Sequence, residues 1–179
     1  QRSEIEAHLL DAADGLITDT IPSIFGWPAQ GNIFFSQFNG FELPADHNGG
    51  WADFDDLNLN GIYEPQSGEY PLIFLKGKPY IPEQIFWMVF NDQGPHTQSN
   101  GDPLGAELQL TVFGFTCDQN SVLNTTLFNT YKIINQGSTK IDSVYFGMWT
   151  DYDLGCSSDD FIGSDSMRHT EFVYNDEID

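Results

Sequence analysis

The segment D-L-N-L-N-G-I-Y-E at residues 56–64 constrains the fold of this chain more than any other part of the sequence. Oxygen-bearing side chains recur at every second position, at Asp56, Asn58 and Asn60, and Gly61 follows them. This spacing directs several oxygens toward one centre, and glycine permits the sharp turn that a Cβ atom opposes. Because calcium takes roughly six to eight oxygen ligands, the segment predicts a calcium-binding loop.

The loop departs from the EF-hand pattern at its end. Ile62 stands where an EF-hand supplies a backbone carbonyl and Glu64 follows it, but Ser67 replaces the final bidentate glutamate. We therefore expect a shorter calcium loop within a β domain, completed by neighbouring acids: Asp53, Asp55 or Glu69. The alternative interpretation is a turn rich in Asp and Asn that needs no metal.

The charge balance supports bound cations and excludes two classes of partner. The chain has 27 acidic residues but only 6 lysines and arginines, which gives a net charge of -21. Such a charge destabilises a compact state by self-repulsion, and divalent cations would relieve it. Nucleic acids and anionic membranes are excluded as partners, since phosphate contacts need basic side chains. The sequence also lacks an apolar run long enough to cross a membrane, so no membrane insertion is predicted.

A second acidic segment spans residues 151–165, and it contains no lysine or arginine. Its carboxylates would repel one another if they packed together without a cation. The segment is therefore either a second metal site or a solvated loop. The two acidic loops form one shared metal site if the fold brings them together. The candidate ligands are Asp151, Asp153, Asp159, Asp160 and Asp165.

Hydrophobic patterns predict one helix followed by a β-rich chain. Residues 3–14 form the helix, with Ser3 as its cap and one face made of Ile5, His8, Leu9 and Ala12. Strands are predicted at 32–38, 71–75, 84–91, 106–116, 122–135, 141–150 and 171–174, with a long loop at 39–69.

Strands without intervening helices indicate an antiparallel β-sandwich or jelly roll with long acidic metal-binding loops. The strand at 84–91 is almost wholly apolar, so we expect it to be central and covered on both faces. In the strand at 106–116, polar Glu107 and Gln109 alternate with Leu108 and Leu110. We expect a single β domain over residues 1–179, with 1–19 as a helical extension.

The remaining sequence features are two cysteines and the lack of recognised catalytic motifs. Cys117 and Cys156 are either a disulfide or two buried thiols. The sequence has no zinc-ligand spacing, nucleophile elbow, P-loop or dinucleotide fingerprint, and no carboxyl pair marked as the acids of a glycosidase. We therefore expect a protein without catalytic activity.

Several motifs occur together in a characteristic order. They include W-P-A-x-G at 27–31, D-x-N-x-N-G-I-Y-E-P at 56–65, G-E-Y-P at 68–71, F-N-D at 90–92, G-D-P-L-G-A-E at 101–107, Y-K-I-I-N at 131–135 and W-T-D-Y-D-L-G…D-D-F-I-G-S-D at 149–165. Together they resemble the N-terminal β region of large secreted Bacteroidota proteins that end in a type IX secretion sorting domain.

This resemblance implies an exported chain, held at the cell surface or released, that forms part of a larger protein. It also implies O-glycosylation at D-[S/T]-apolar tripeptides, whose hydroxyl residues here are Thr20, Ser143 and Ser166. Calcium ions are the expected partners, together with glycans or other surface proteins. We predict a calcium-stabilised structural or adhesive domain. The alternatives are a carbohydrate-binding module, a subunit of a surface filament or sheath, and a metal-dependent hydrolase.

Overall fold

A computed structural model describes residues 1–45, 47–117, 122–147, 149–156 and 158–175. The chain divides into two compact units, Gln1–Lys140 and Ile141–Asp179, and each is described by itself. The prediction of one β domain over residues 1–179 therefore stays a prediction. Among the described residues, no helix has the length and apolar character needed to span a lipid bilayer.

The first unit contains short helices followed by antiparallel strands. In chain order its elements are α1 (Arg2–Ala12), α2 (Pro22–Phe25), α3 (Phe35–Asn39), a 3-10 helix (Pro65–Ser67), β1 (Ile73–Leu75), β2 (Lys78–Tyr80), β3 (Gln84–Asn91), β4 (Ala106–Gly114), a second 3-10 helix (Val122–Thr125) and β5 (Phe128–Asn135). β1 pairs with β2, and a three-stranded sheet has the order β3-β4-β5. The second unit contains an antiparallel pair, β6 (Asp160–Asp165) and β7 (Thr170–Asn175). The prediction of a β-rich fold with antiparallel sheets and few helices is confirmed.

The helices differ in detail from the sequence-based predictions. α1 begins at Arg2, and its N-cap, Gln1, makes no side-chain capping bond, so the prediction of Ser3 as the cap is wrong. Its buried face consists of Ile5 and His8, whereas Leu9 is 39% exposed.

A helix also replaces the first predicted strand, at residues 32–38. The Asn32 side chain accepts a hydrogen bond from the Phe34 N–H (2.9 Å) and donates to the carbonyls of Phe25 and Trp27. This local bonding turns the chain into α3, which ends at Gly40 with a φ of 79°.

The main core lies in the first unit, between its helices, the irregular segment that follows them and one face of the three-stranded sheet. Its buried members are Ile5, Ile24, Phe25, Trp27, Ala29, Ala52, Tyr63, Ile73, Ile85 and Phe113. Tyr63 is 1% exposed, and its hydroxyl donates to the Ile24 carbonyl at 3.0 Å. The segment that carries the candidate calcium loop is thus anchored to the core by a large buried side chain.

The three-stranded sheet covers the core with only one of its faces. β3 has the predicted bounds, but it is an edge strand, and Phe86 and Phe90 are 58% and 50% exposed. The prediction of a central strand covered on both faces is therefore wrong in this unit. The opposite face carries Phe86, Met88 and Phe90 of β3, Leu108, Leu110 and Val112 of β4, and Tyr131 and Ile133 of β5.

Three further strand predictions are corrected. Residues 122–125 form a 3-10 helix rather than the start of the strand that becomes β5. The described residues of 141–150 contain no strand. In contrast, residues 160–165, predicted as part of an acidic loop, form β6 and pair with β7.

Candidate metal centre

The 56–64 loop folds by hydrogen bonds between its own side chains and backbone. The Asp56 carboxylate accepts the N–H groups of Asn60 (3.1 Å) and Gly61 (2.8 Å). The side-chain oxygens of Asn58 and Asn60 accept the N–H groups of Asn60 and Ile62. Gly61 has a φ of 75°, a conformation that suits glycine. The predicted spacing therefore produces a series of Asx turns around the loop.

Glu64 draws the two asparagines toward one point. Its Oε2 atom accepts hydrogen bonds from Nδ2 of Asn58 and Nδ2 of Asn60, both at 2.8 Å. The structure thus brings together three of the predicted ligands, Asn58, Asn60 and Glu64. An amide presents either its oxygen or its NH2 group to a given point, and here the NH2 groups face the carboxylate. For a calcium ion to bind at this point, the side-chain amides of Asn58 and Asn60 would have to rotate so that their oxygens face the ion.

Glu69 lies beneath the 56–64 loop and bonds to the backbone at both of its ends. It is 0% exposed, and its carboxylate accepts the N–H groups of Leu57 (3.1 Å) and Glu64 (2.7 Å). Burial raises the pKa of Glu69, and the charges of Asp56 and Glu64 raise it further, while the two backbone donors act in the opposite direction. Three carboxyl groups are therefore gathered at one loop, and one of them is buried.

The other candidates near this loop are held in different ways. Asp55 accepts a hydrogen bond from the Tyr70 hydroxyl, and burial together with this bond raises the pKa of Tyr70 to about 12. Asp53 is an exposed residue, but partial burial of its carboxylate raises its pKa, against the opposing effects of Lys132 and of a hydrogen bond from the Phe74 N–H. Its backbone carbonyl accepts the Trp27 indole N–H at 3.0 Å. Ile62 has a 46% exposed side chain.

In the second unit, the contacts of the Asp165 carboxylate are all made with protein groups and need no metal. Its carboxylate pairs with the Arg168 guanidinium and accepts the N–H groups of Met167 (3.0 Å) and Arg168 (3.1 Å). These hydrogen bonds lower the pKa of Asp165. The residue therefore organises the turn between β6 and β7. Asp151 and Asp153 are exposed.

The opposite end of the same hairpin has oxygens without donors. Oδ1 of Asp159, Oδ1 of Asp160 and Oδ1 of Asn175 are buried and have no hydrogen-bond partner among the residues that the structure describes. Asp160 and Asn175 face each other across β6 and β7, and Asp159 directly precedes Asp160. The remaining oxygen of Asp160, Oδ2, accepts the Leu154 N–H at 3.1 Å. Sequence reasoning identified both aspartates but missed Asn175, for which only the cross-strand register gives a signal.

No set of three or more His, Cys, Asp or Glu side chains converges as a metal site within the described part of the chain. The group at Asp159, Asp160 and Asn175 contains only two acids, with an amide oxygen as its third member. The two acidic segments belong to different units, so the prediction that they share one centre stays a prediction.

Cys117 and Cys156 are exposed free thiols, so the alternative interpretation of two buried thiols is wrong. The two cysteines belong to different units, so the disulfide between them stays a prediction. The Cys117 backbone N–H donates to Asn124 Oδ1 (2.7 Å), and Cys156 Sγ lies 3.2 Å from Ser158 Oγ. The three candidate glycosylation residues are exposed, namely Thr20, Ser143 and Ser166.

Sequence reasoning also missed a buried polar cluster that holds the preceding loop on the sheet. Glu107, 6% exposed, lies 2.8 Å from His47 Nε2 and accepts from Gln109 (3.0 Å) and Gln136 (3.1 Å). Gln109 also donates to the Gly50 carbonyl at 2.8 Å. These bonds fix the chain just before the candidate calcium loop. The alternation in β4 indicates that its two faces differ, but it does not show which face is covered.

Comparisons with known proteins identify no relatives of this chain: no family model, no curated protein and no solved structure matches it. Its function must therefore be argued from the arrangement of its own residues.

Proposed function

We propose that this chain is a calcium-stabilised structural or adhesive domain of a secreted or cell-surface protein, without catalytic activity. The observation that carries the proposal is the set of three buried oxygens without donors at Asp159, Asp160 and Asn175. A buried acceptor that lacks a hydrogen-bond donor costs about 1–3 kcal/mol, and more when it is charged. A hard cation removes this cost because it binds carboxylate and amide oxygens directly.

The ligand chemistry at this end of the hairpin favours calcium. Two carboxylate oxygens and one amide oxygen match the donor types that calcium prefers, and no thiolate or imidazole takes part. Backbone carbonyls and water would complete the shell. An ion here would join the start of β6 to the end of β7, since Asp160 and Asn175 are cross-strand partners. Calcium binding would therefore stabilise the hairpin itself.

The 56–64 loop is our second proposed calcium position. Its support is electrostatic, because burial and the nearby charges of Asp56 and Glu64 raise the pKa of Glu69. A divalent cation near these groups would offset both the repulsion and the burial of charge. The loop already forms its turns from internal bonds, so we expect its ion to bind more weakly than the ion at Asp160.

The structural or adhesive role rests on the uncovered sheet face. Phe86, Phe90 and Ile133 are each at least half exposed, and the face also includes Met88 and Tyr131. An apolar patch on one face of a sheet is typical of a surface that packs against another layer. We propose that a second sheet covers it and completes a β-sandwich or jelly roll. The secreted location rests on the resemblance to Bacteroidota proteins carrying a type IX sorting domain.

Calcium titration with matched variants tests the proposal. Calcium at 100 times its dissociation constant would stabilise the folded chain by about 2.7 kcal/mol, so EDTA should lower the Tm and calcium should restore it. The double variant Asp159→Asn/Asp160→Asn should lose most of this response. The control, Asp151→Asn/Asp153→Asn, removes the same charge from exposed positions and should keep it. A calcium response that is absent, or equally reduced in both variants, would refute the proposed site.

The uncovered face favours a subunit of a surface filament or sheath as a second candidate function. Both β3 and β5 are edge strands of their sheet, and β3 carries the exposed residues Phe86 and Phe90. Sedimentation velocity should then show association that increases with protein concentration. Phe86→Ser should reduce this association, whereas Phe41→Ser, at a 62% exposed position elsewhere, should not. A monomer at every concentration would exclude the candidate.

A further inference from the structure

A groove of about 400 Å³ lies beside the 56–64 loop in the first unit. Its walls include three aromatic rings, Trp51, Phe54 and Phe74, and three acidic residues, Asp53, Asp55 and Asp56. Neither lysine, arginine nor histidine lines it. We propose that this groove binds an organic cation, an ammonium or guanidinium group that stacks on the aromatic rings and pairs with the carboxylates.

The aromatic walls are held in place before any ligand binds. The Trp51 indole stacks on His47, with ring centroids 4.2 Å apart, and its N–H donates to the Pro44 carbonyl at 3.2 Å. Phe54 packs edge-on against buried Tyr63 at 5.1 Å. Phe74 lies on β1 and remains 49% exposed. Rigid aromatic surfaces bind a partner at little entropic cost, because their side chains need no further ordering.

The acidic residues decide which class of ligand suits these rings. Aromatic faces accept sugars and cations alike, but only a cation gains from three neighbouring carboxylates. The chain's net charge of -21 adds an attractive field for a cation and a repulsive one for an anion. Lys132 acts electrostatically on Asp53, but its ammonium donates to the Gly49 carbonyl and does not line the groove.

Each carboxylate keeps acceptor capacity for a ligand. Asp55 accepts one bond from Tyr70, and Asp56 accepts from the N–H groups of Asn60 and Gly61. A carboxylate offers about four lone-pair sites, so these contacts leave room for another donor. Asp53 lies at an exposed position, and its carboxylate accepts the Phe74 N–H, which likewise leaves lone pairs for a cation.

Two kinds of molecule carry such a cation, and the groove would bind both through the same stacking and ion pairing. One is a lysine or arginine side chain on a partner protein, as an adhesive domain would need. The other is a free polyamine. Cation recognition by these rings and carboxylates needs no calcium ion. The titration is therefore run in EDTA, so a failure of calcium binding at Asp160 leaves it standing.

Two-dimensional ¹H–¹⁵N NMR of the whole chain tests the proposal with three probes: spermidine, an acetylated and amidated Gly-Arg-Gly peptide, and neutral cellohexaose. We expect at least one cationic probe to shift the Trp51 indole signal and the amides of Asp53 and Phe74. Tighter binding of the peptide would identify a protein side chain as the source, and tighter binding of spermidine a free amine. If cellohexaose alone shifts these signals, the groove is a glycan site and the proposal is wrong.

Matched variants separate the groove from general attraction to an acidic chain. Asp53→Asn and Phe74→Ala should each weaken cation binding about fivefold or more, as expected for one ion pair or one cation–π contact. The controls Asp102→Asn and Phe41→Ala change an exposed acid and a 62% exposed aromatic that do not line the groove. They should leave affinity within about twofold, since long-range charge effects are screened by salt. Equal weakening by Asp53→Asn and Asp102→Asn, or no shifted signals with either cation, would overturn the proposal.

Discussion

The two acidic segments of this chain look alike in sequence and differ in how their oxygens are satisfied. Around residues 56–69, Asp56 and Glu69 each accept two backbone N–H groups, and Glu64 accepts two side-chain amides. At the β6–β7 hairpin, one buried oxygen each of Asp160 and Asn175 has no donor within the described part of the chain. The number of acidic residues therefore does not show whether a segment requires a cation. What matters is whether nearby N–H and NH2 groups donate hydrogen bonds to the carboxylate oxygens.

The difference has a local physical cause. The first segment contains Gly61 and alternating Asx residues, which turn the backbone so that its N–H groups point at the side chains. In the second, strand pairing commits the backbone donors of β6 and β7 to each other. Side chains at the end of that pair must find partners elsewhere. The following predictions test this contrast, starting with the largest expected effect.

Glu69→Ala should be the most destabilising change at either segment. It leaves the N–H groups of Leu57 and Glu64 without their acceptor and opens a cavity beneath the loop. We expect a loss of about 3 kcal/mol in the free energy of unfolding, measured by urea denaturation. Glu42→Ala, at an exposed position, serves as the control and should change stability by less than about 0.5 kcal/mol. A similar small effect at Glu69 would show that the loop does not depend on this carboxylate.

Aspartate-to-asparagine changes should have opposite signs in the two segments when calcium is absent. Asp160→Asn removes a charge and adds NH2 donors beside acceptors that lack them, so it should stabilise the chain by about 1 kcal/mol. Asp56→Asn weakens the bonds to Asn60 and Gly61, so it should destabilise by about 1 kcal/mol. Thermal melts in EDTA measure both. Effects of the same sign would show that the two segments do not differ in how their carboxylates are satisfied.

The buried carboxyl of Glu69 should make stability depend weakly on pH. Its folded-state pKa lies above the ordinary value of 4.5, so the folded chain holds this proton to higher pH than the unfolded chain does. The stability contributed by the neutral form is present below pH 4.5 and is lost as pH rises from there through the raised pKa.

Comparison with Glu69→Gln isolates this effect. The variant keeps the shape of the side chain but does not titrate, so the stability of the wild type relative to it should fall as pH rises from 4.5. The difference also cancels the contribution of His8, whose pKa is lowered by burial in α1. A stability difference that stays constant with pH would mean that the pKa of Glu69 is the same in both states.

β4 shows why part of the site could not be predicted from sequence. The alternation of Glu107 and Gln109 with Leu108 and Leu110 indicates a strand, and the structure confirms it. It does not identify the face that is covered. Glu107 and Gln109 are buried because the loop that carries His47 and Gly50 supplies their partners from a distant part of the sequence. Periodicity reports that two faces differ, whereas burial depends on what packs against each one.

α3 and β6 illustrate the same point on a smaller scale. The aromatic run at 34–38 has strand character, but the turn made by Asn32 overrides that propensity. The acids at 159–165 have loop character, but pairing with β7 makes six of the residues a strand. Propensity is a local quantity of small energy, and a few tertiary or side-chain bonds exceed it.

The sequence by itself determined the bounds of β3, the antiparallel β-rich character and the turn at Gly61. These follow from local sterics and from the alternation of side chains along a strand. Only the tertiary structure decided that Glu69 lies beneath its loop, that Asn175 joins Asp160 and that three aromatic rings line a groove beside Asp53. Such contacts join residues that are not neighbours along the chain, and hydrogen bonding and burial are set by the neighbours that folding provides.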